Sequence, residues 1–353
     1  MPSPTSDLRI RATRPLPAPA VFQHAFPLDE AGALRILRAR REIAAIMSGA
    51  DDRLLVVVGP CSIHDPGAAV EFAQNLRGAA GRHAGELMAV MRVYFEKPRT
   101  VTGWKGLIND PDLDGTFHIS KGLRLARKLM VEITAAGVPI ATEFLDTTIG
   151  QYYADLVSWG AIGARTVESQ VHRQLASGLS MPVGFKNRTD GNVQVAVDAI
   201  LSARHPHWFP SLTRNGTPAS LGTTGNDDTH LVLRGGSSGP NYSADDVRSA
   251  VSLLAGSGLP PHLMVDCSHG NSGKDAERQS AVAADLAARV GAGDRALVAV
   301  MIESNLLGGS QDYRAVPLLR GRSVTDACLS WEQTVPLLDR LAAAVGERRM
   351  ARA

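Results

Sequence analysis

Residues 88–100, MAVMRVYFEKPRT, begin as a β-strand and end as a cluster of charge. Side chains alternate along a strand, so Met88, Val90 and Tyr94 share one face with Arg92, while Ala89, Met91, Val93 and Phe95 share the other. A guanidinium inside an apolar run is costly unless an anion meets it. Past Glu96, Pro98 ends the ladder, and Lys97, Arg99 and Thr100 crowd the same end. Charge runs are most often solvated surface. The alternative is an anion site at the carboxyl end of a buried strand, and the rest of the chain decides between the two.

Further short apolar runs lie at 54–58, 139–145, 161–166, 182–187, 230–234, 263–267 and 296–302. Helical spacing separates most of them, at 68–80, 119–136, 168–177, 192–203, 244–254 and 276–290, with flanking helices at 28–48 and 331–345. Ser243 followed by Asp246 reads as a capping box opening the helix at 244. Strands alternating with helices predict an α/β protein with a parallel sheet, and eight strands is the number that closes a (β/α)8 TIM barrel. A doubly wound open sheet is the alternative, but no GxGxxG joins a strand to a helix. The interval 205–228 holds two short alternating runs split by Asn215-Gly216, which predicts a β-hairpin inserted on the barrel. Residues 1–27, rich in proline and arginine with one β-prone patch at 8–12, read as an extended arm. The expected division is thus 1–50 for arm and first helix, and 51–353 for the barrel with its inserted hairpin.

The bulk composition excludes several classes. With 37 basic and 35 acidic side chains among 353 residues, the net charge of +2 offers no global attraction to nucleic acid or membrane, so any cationic site must be local. Cys61, Cys267 and Cys328 are too few for a disulfide framework and fit a reducing compartment. No apolar run is long enough to span a bilayer, and the N-terminus lacks the apolar core of a signal peptide, so a cytoplasmic location is expected.

Functional groups of a (β/α)8 barrel sit at the carboxyl ends of its strands. Read in order, those ends carry Cys61, then Arg92 with Lys97, then Glu143, Arg165, Lys186, Arg234, the Cys267-Ser268-His269 run, and Glu303. Arg92, Lys97, Arg99, Arg165, Lys186 and Arg234 are more cations than one carboxylate or phosphate needs, which predicts two phosphorylated substrates. Cys61, His269 and Glu303 mix thiol, imidazole and carboxylate, a donor set that suits a divalent transition metal (Mn2+, Fe2+, Co2+ or Zn2+) over Mg2+ or Ca2+. Taken singly, Cys61 reads as a buried hydrophobe, His269 as a loop histidine and Glu303 as the partner of an arginine; convergence on one rim reverses those readings. His64, His172 and Cys267 gain no such support and read as structural. Asp326 is either the N-cap of the last helix or a fourth ligand.

GPCSIHDP at 59–66, RVYFEKPRT at 92–100, GWKGLINDP at 103–111, GAIGARTVESQVHRQLASGLSMPVGFKN at 160–187, LRGGSSGPNYSADD at 233–246 and SVTDAC at 323–328 resemble the type I 3-deoxy-D-arabino-heptulosonate 7-phosphate (DAHP) synthases, over nearly the whole chain. KPRT at 97–100 separates this family from the 3-deoxy-octulosonate 8-phosphate synthases. The resemblance implies a metal-dependent condensation of phosphoenolpyruvate with erythrose 4-phosphate, the first step of the shikimate pathway. It implies Cys61, His269, Glu303 and Asp326 as metal ligands. Arg92, Lys97, Glu143, Arg165, Lys186 and Arg234 fall where the family holds phosphoenolpyruvate. Lys97, Pro98, Arg99, Thr100 and Asp326 fall where it holds erythrose 4-phosphate. Lys97, Cys61 and His269 are the expected catalytic residues, with Lys97 moving a proton after its cationic neighbours lower its pKa.

The resemblance also implies that the N-terminal arm and the hairpin build a homodimer or homotetramer and a pocket for an aromatic amino acid effector. Gln151, Leu175, Gly178, Leu179, Ser180, Phe209 and Ser211 match that pocket, and Ser211 in place of glycine points to phenylalanine over tyrosine, with tryptophan left open. Gly150 stands where feedback-controlled relatives commonly carry proline. Cys328, two residues from Asp326, is expected to form a disulfide with Cys61 when metal is lost.

Overall fold

The computed structural model describes residues 5–99 and 101–351. Its centre is a closed barrel of eight parallel strands: β1 (Leu54–Gly59), β2 (Leu87–Arg92), β3 (Ile140–Glu143), β4 (Trp159–Ile162), β5 (Val183–Lys186), β8 (Thr229–Leu233), β9 (Leu263–Asp266) and β10 (Leu297–Glu303), with β10 pairing β1 to complete the ring. The antiparallel pair β6 (Trp208–Leu212) and β7 (Pro218–Gly222) stands apart, in the register Pro210 opposite Ser220. This is the (β/α)8 architecture with the predicted hairpin.

The strands are rich in Val, Ile, Leu and Met because both faces of each are covered. Leu55, Val57, Met88, Val90, Trp159, Val232, Met264 and Met301 fill the interior, while Val56, Val58, Ala89, Met91, Phe185, Leu231 and Val300 face the helices. That alternation puts Arg92 inside with Met88 and Val90, as the period of 88–95 predicts.

Nine helices are described: α1 (Pro19–Ala25), α2 (Glu30–Ser48), α3 (Pro66–Gly81), α4 (Ile119–Ala135), α5 (Gln170–Gly178), α6 (Gln194–Ala203), α7 (Ala244–Gly256), α8 (Arg278–Gly291) and α9 (Trp331–Met350). α2 opens with the Asp29 carboxylate accepting from the Gly32 N–H at 2.7 Å and ends at Gly49, whose φ of 79° suits glycine. Its Ala39, Ile43, Ile46 and Met47 pack into the inner core, so this helix plugs the amino end of the barrel. The Ser243–Asp246 capping box opens α7 as predicted.

Several boundaries differ from the sequence reading. β2 ends at Arg92, although residues 93–96 stay buried; the Val93 N–H still donates to Ala141 O at 2.8 Å, and Tyr94 O accepts from the Ile63 N–H at 2.8 Å. β4 starts at Trp159 and ends at Ile162, earlier at both ends than the run 161–166, which leaves Arg165 in the turn beyond it. The short helix α1 lies inside the stretch read as an extended arm, started by Pro19 at its first turn. Ser330 caps α9, which removes the capping alternative for Asp326.

Candidate active site

Cys61, Arg92, Lys97, His269, Glu303 and Asp326 are linked to one another at the carboxyl ends of the strands, and Thr100 lies outside the described residues. The ligating atoms of Cys61, Glu303 and Asp326 lie within 4.8 Å of one another, with Cys61 Sγ 3.6 Å from Asp326 Oδ2. His269 flanks this trio, its Nε2 3.8 Å from Glu303 Oε1. One soft and two hard donors, with imidazole alongside, fit a divalent transition metal. Burial pushes the Cys61 thiol up to about 11, Glu303 and Asp326 pushing the same way against Lys97 and Arg92.

Three of the rim's cations are matched by the chain itself. The Arg92 guanidinium, fully buried, meets Glu303 Oε1 at 3.0 Å and lies 4.0 Å over the Tyr94 ring. Lys186 Nζ meets Asp266 Oδ2 at 2.8 Å, both buried. Lys97 Nζ donates to Cys61 Sγ at 3.0 Å. The charge count in the sequence therefore overstated the unneutralised positive charge. Arg165 is exposed with no ion-pair partner among the described residues, and Arg234 reaches only Gly235 O, at 3.3 Å. Arg99 Nε donates to Trp104 O at 2.8 Å. Glu143 is half-buried, and a Cβ at residue 163 would strike its carboxylate, so Gly163 makes its room.

The expected lowering of the Lys97 pKa is not found. Burial acts in that direction, but Cys61, Glu303 and Asp326 outweigh it and raise the pKa, so Lys97 holds its proton. The neighbours counted along the sequence were cations; those met in space are acids.

Asp266 was missed by the sequence reading. Its carboxylate also accepts from Ser268 Oγ at 2.5 Å and faces His269 Nδ1 at 3.0 Å, so one side chain fixes both the buried lysine and the histidine. Burial opposes its ionisation, but Lys186 and His269 hold it well below the usual carboxylate range. Asp266 ends the run LMVD, an acid closing an apolar strand, the same signal used at the other strand ends. Gln279, also missed, grips the Glu303 backbone, donating to its carbonyl at 3.2 Å and accepting from its N–H at 2.8 Å. On the structural side, His172 bridges Ser169 Oγ and Leu145 O, and Cys267 is buried on the outer face of the barrel wall. Cys328 Sγ accepts from the Cys61 N–H at 3.4 Å, and all three cysteines are free.

The seven residues matched to an effector pocket, Gln151, Leu175, Gly178, Leu179, Ser180, Phe209 and Ser211, all line one cavity of about 1010 Å³. Gly150 lines it too, and α2 forms one wall through Ala33, Leu37 and Arg40. A Cβ on Gly150 would sit 3.2 Å from the Phe144 ring.

The model of the DAHP synthetase I family matches residues 28–339. The chain belongs to the DAHP synthetase I family. It is 53% identical over 344 residues to a phospho-2-dehydro-3-deoxyheptonate aldolase of Escherichia coli K12 described as Phe-sensitive, covering 97% of this chain and 98% of that one. A tyrosine-inhibited aldolase of the same name from Schizosaccharomyces pombe is 50% identical over 348 residues, covering 97% and 94% of the two chains. The solved structure of the aldolase from Francisella tularensis superposes with a TM-score of 0.95 at 51% identity, covering 96% and 99%. Family membership spans both the barrel and the helices that line the large cavity.

Proposed function

We propose that this family member condenses phosphoenolpyruvate, D-erythrose 4-phosphate and water to 3-deoxy-D-arabino-heptulosonate 7-phosphate and phosphate, the 3-deoxy-7-phosphoheptulonate synthase reaction that opens the shikimate pathway to the aromatic amino acids. The observation that carries the reading is the meeting, at one mouth, of the Cys61–Glu303–Asp326 trio with uncommitted Arg165 and Arg234. A divalent transition metal held by Cys61, Glu303, Asp326 and flanking His269 would supply Lewis-acid polarisation of the aldehyde.

The chain's own groups do the rest. Arg165 and Arg234, with Arg92 and Lys186 beneath, hold the anionic groups of phosphoenolpyruvate, and Glu143 lies at the same rim. Arg99, with Pro98 and Thr100, holds the phosphate of erythrose 4-phosphate. Fixing two mutually repelling anions side by side removes an entropic and electrostatic barrier. The enol carbon then bonds to the aldehyde carbon, water adds to the carbon bearing phosphate, and phosphate departs by C–O cleavage. Lys97, charged and half-buried beside the trio, donates a proton to the oxygen that becomes hydroxyl.

The large cavity is read as the seat of an aromatic amino acid inhibitor. Exposed Trp208 on the hairpin and Val21 on α1 support a homodimer or homotetramer, which light scattering would measure. No helix among the described residues is long and apolar enough to cross a membrane, and the three free cysteines support the cytoplasm.

The test is phosphate release with Mn2+, with chelator, and with each aromatic amino acid. Release that needs both substrates and stops with chelator is expected. Release from phosphoenolpyruvate alone, or none with any metal, would overturn the assignment.

A further inference from the structure

Two members of the donor trio are placed by the barrel itself. Glu303 is the last residue of β10, Cys61 follows the end of β1 by two residues, and both are buried. Asp326 is placed differently: it is exposed, on the stretch 304–330 between β10 and α9, and belongs to no strand or helix. Yet its Oδ2 lies 3.6 Å from Cys61 Sγ, across 265 residues of chain. The fold of the barrel does not account for that approach, so local contacts must.

The residues beside the two donors supply them. Ser62 Oγ and Thr325 Oγ1 lie 2.7 Å apart, one hydroxyl donating to the other. Each belongs to the immediate neighbour of a donor, Ser62 following Cys61 and Thr325 preceding Asp326. Ser62 is buried, so loss of the Thr325 hydroxyl would leave its own hydroxyl without a partner there. Thr325 is held from behind, its N–H donating to Oγ of the buried Ser323 at 3.1 Å. On the far side of Asp326, Cys328 exchanges backbone bonds with Gly309 at 2.8 and 3.2 Å, and its Sγ accepts from the Cys61 N–H at 3.4 Å. Asp326 therefore stands at a tip between two attachments, and the one on its amino side is a bond between two side chains.

We propose that Ser62 and Thr325 are positioning residues: their hydroxyl bond clasps the loop of Asp326 to the end of β1, fixes its carboxylate against Cys61, and so sets how tightly a divalent transition metal is held. The proposal rests on the reading of Cys61, Glu303 and Asp326 as metal ligands. Contacts of this outer kind orient a ligand without touching the ion, and their loss weakens metal binding about 10- to 100-fold. The clasp matters most for Asp326, because Cys61 and Glu303 keep their places through the strands.

The test is Mn2+ affinity, which needs no turnover. Full-length protein is stripped with chelator, kept reduced with thiol and titrated with Mn2+, free ion being read by electron paramagnetic resonance. Thr325→Val and Ser62→Ala should each raise the Kd about tenfold or more. The two together should raise it no further than the larger single change, since both break one bond. Thr325→Ser, which keeps the hydroxyl, should bind as the parent does. The Tm of the metal-free proteins separates this role from a structural one: a variant that lost Tm at an unchanged Kd would show a loop staple and overturn the proposal. If Thr325→Val does not fold, Ser62→Ala and Thr325→Ser carry the same comparison. An unmoved Kd, single effects that multiply in the double variant, or Thr325→Ser as weak as Ser62→Ala would each overturn it. A parent that bound no Mn2+ would overturn the ligand reading and the clasp with it, whereas tight binding by parent and variants alike would overturn the clasp alone.

Discussion

The barrel mouth and the hairpin-side cavity both take residues from the chain's loops, yet they hold their polar groups in opposite ways. At the mouth, Arg92, Lys97 and Lys186 each meet an acid or thiol of the chain, at 3.0, 3.0 and 2.8 Å. In the cavity, Gln151, Ser180 and Ser211 have no side-chain hydrogen bond among the described residues. The mouth is preorganised by internal pairs on strand ends, so removing one member leaves a buried charge behind. The cavity is assembled from α2, a turn after β3, α5 and the hairpin, and it leaves these three side chains unpaired by the chain while Ser177 and Thr223 in the same lining bond each other at 2.7 Å. Substitutions at the mouth should therefore strike rate and stability, and those in the cavity only effector affinity.

The sharpest way to break that contrast is at Lys97. Lys97→Ala should lower kcat by roughly 100- to 1,000-fold, the usual loss for a preorganised donor, while metal content measured by atomic absorption persists. A mild loss would show that the mouth is no more rigid than the cavity. Removing the metal probes the same rigidity: with chelator and air, intact mass without reductant should reveal a Cys61–Cys328 disulfide, reversed by added thiol. Free thiols at both positions after exposure would end that idea.

Asp266→Asn should cost about 3 kcal/mol in denaturant unfolding, since it strands Lys186 in a buried site. Glu96 lies between the two regions, accepting from the Asp146 N–H at 3.5 Å. Burial, then nearby Asp146, pushes its pKa up to about 7. A carboxyl raised in the folded state binds its proton more tightly there than when unfolded, so it contributes stability at low pH that is lost as pH rises toward about 7. Glu96→Gln should accordingly gain roughly 2 kcal/mol on the parent between about pH 5 and pH 8. Parallel stability curves would refute it. The smallest effect is expected in the cavity: Gly150→Pro should change the aromatic amino acid concentration for half inhibition by roughly 3- to 10-fold, about 1 kcal/mol, with kcat unmoved. A large change in kcat would erase the distinction between the two regions.

The fold was legible because each barrel strand is buried on both faces and leaves a short apolar run, and because Asn215-Gly216 fixes its hairpin. The mouth was legible for a related reason: a charge that ends such a run has one place to go. Sequence could not show which cation meets which acid. Lys97 stands among Arg92 and Arg99 along the chain but beside Cys61 in space, so its pKa was expected to move the wrong way. Asp266 lies inside the apolar run 263–267, and its partner Lys186 is eighty residues away along the chain, so nothing local marks the pair. β4 ends early because the chain turns at once: the Thr166 and Val167 N–H groups both donate to Gly163 O at 3.0 Å.

α2 plugs the barrel through Ile43, Ile46 and Met47, and it also walls the hairpin-side cavity through Ala33, Ile36 and Leu37. Anyone building chimeras to exchange feedback behaviour between relatives meets a consequence of this. A splice at residue 50 would transplant the floor of the host barrel along with the control element, and the two halves would have to be matched as a hydrophobic core. A splice before Asp29 keeps floor and strands from one parent, but leaves the α2 wall of the hairpin-side cavity behind. The wall of the cavity and the floor of the barrel are therefore written on the same nineteen residues, and a change to one edits the other.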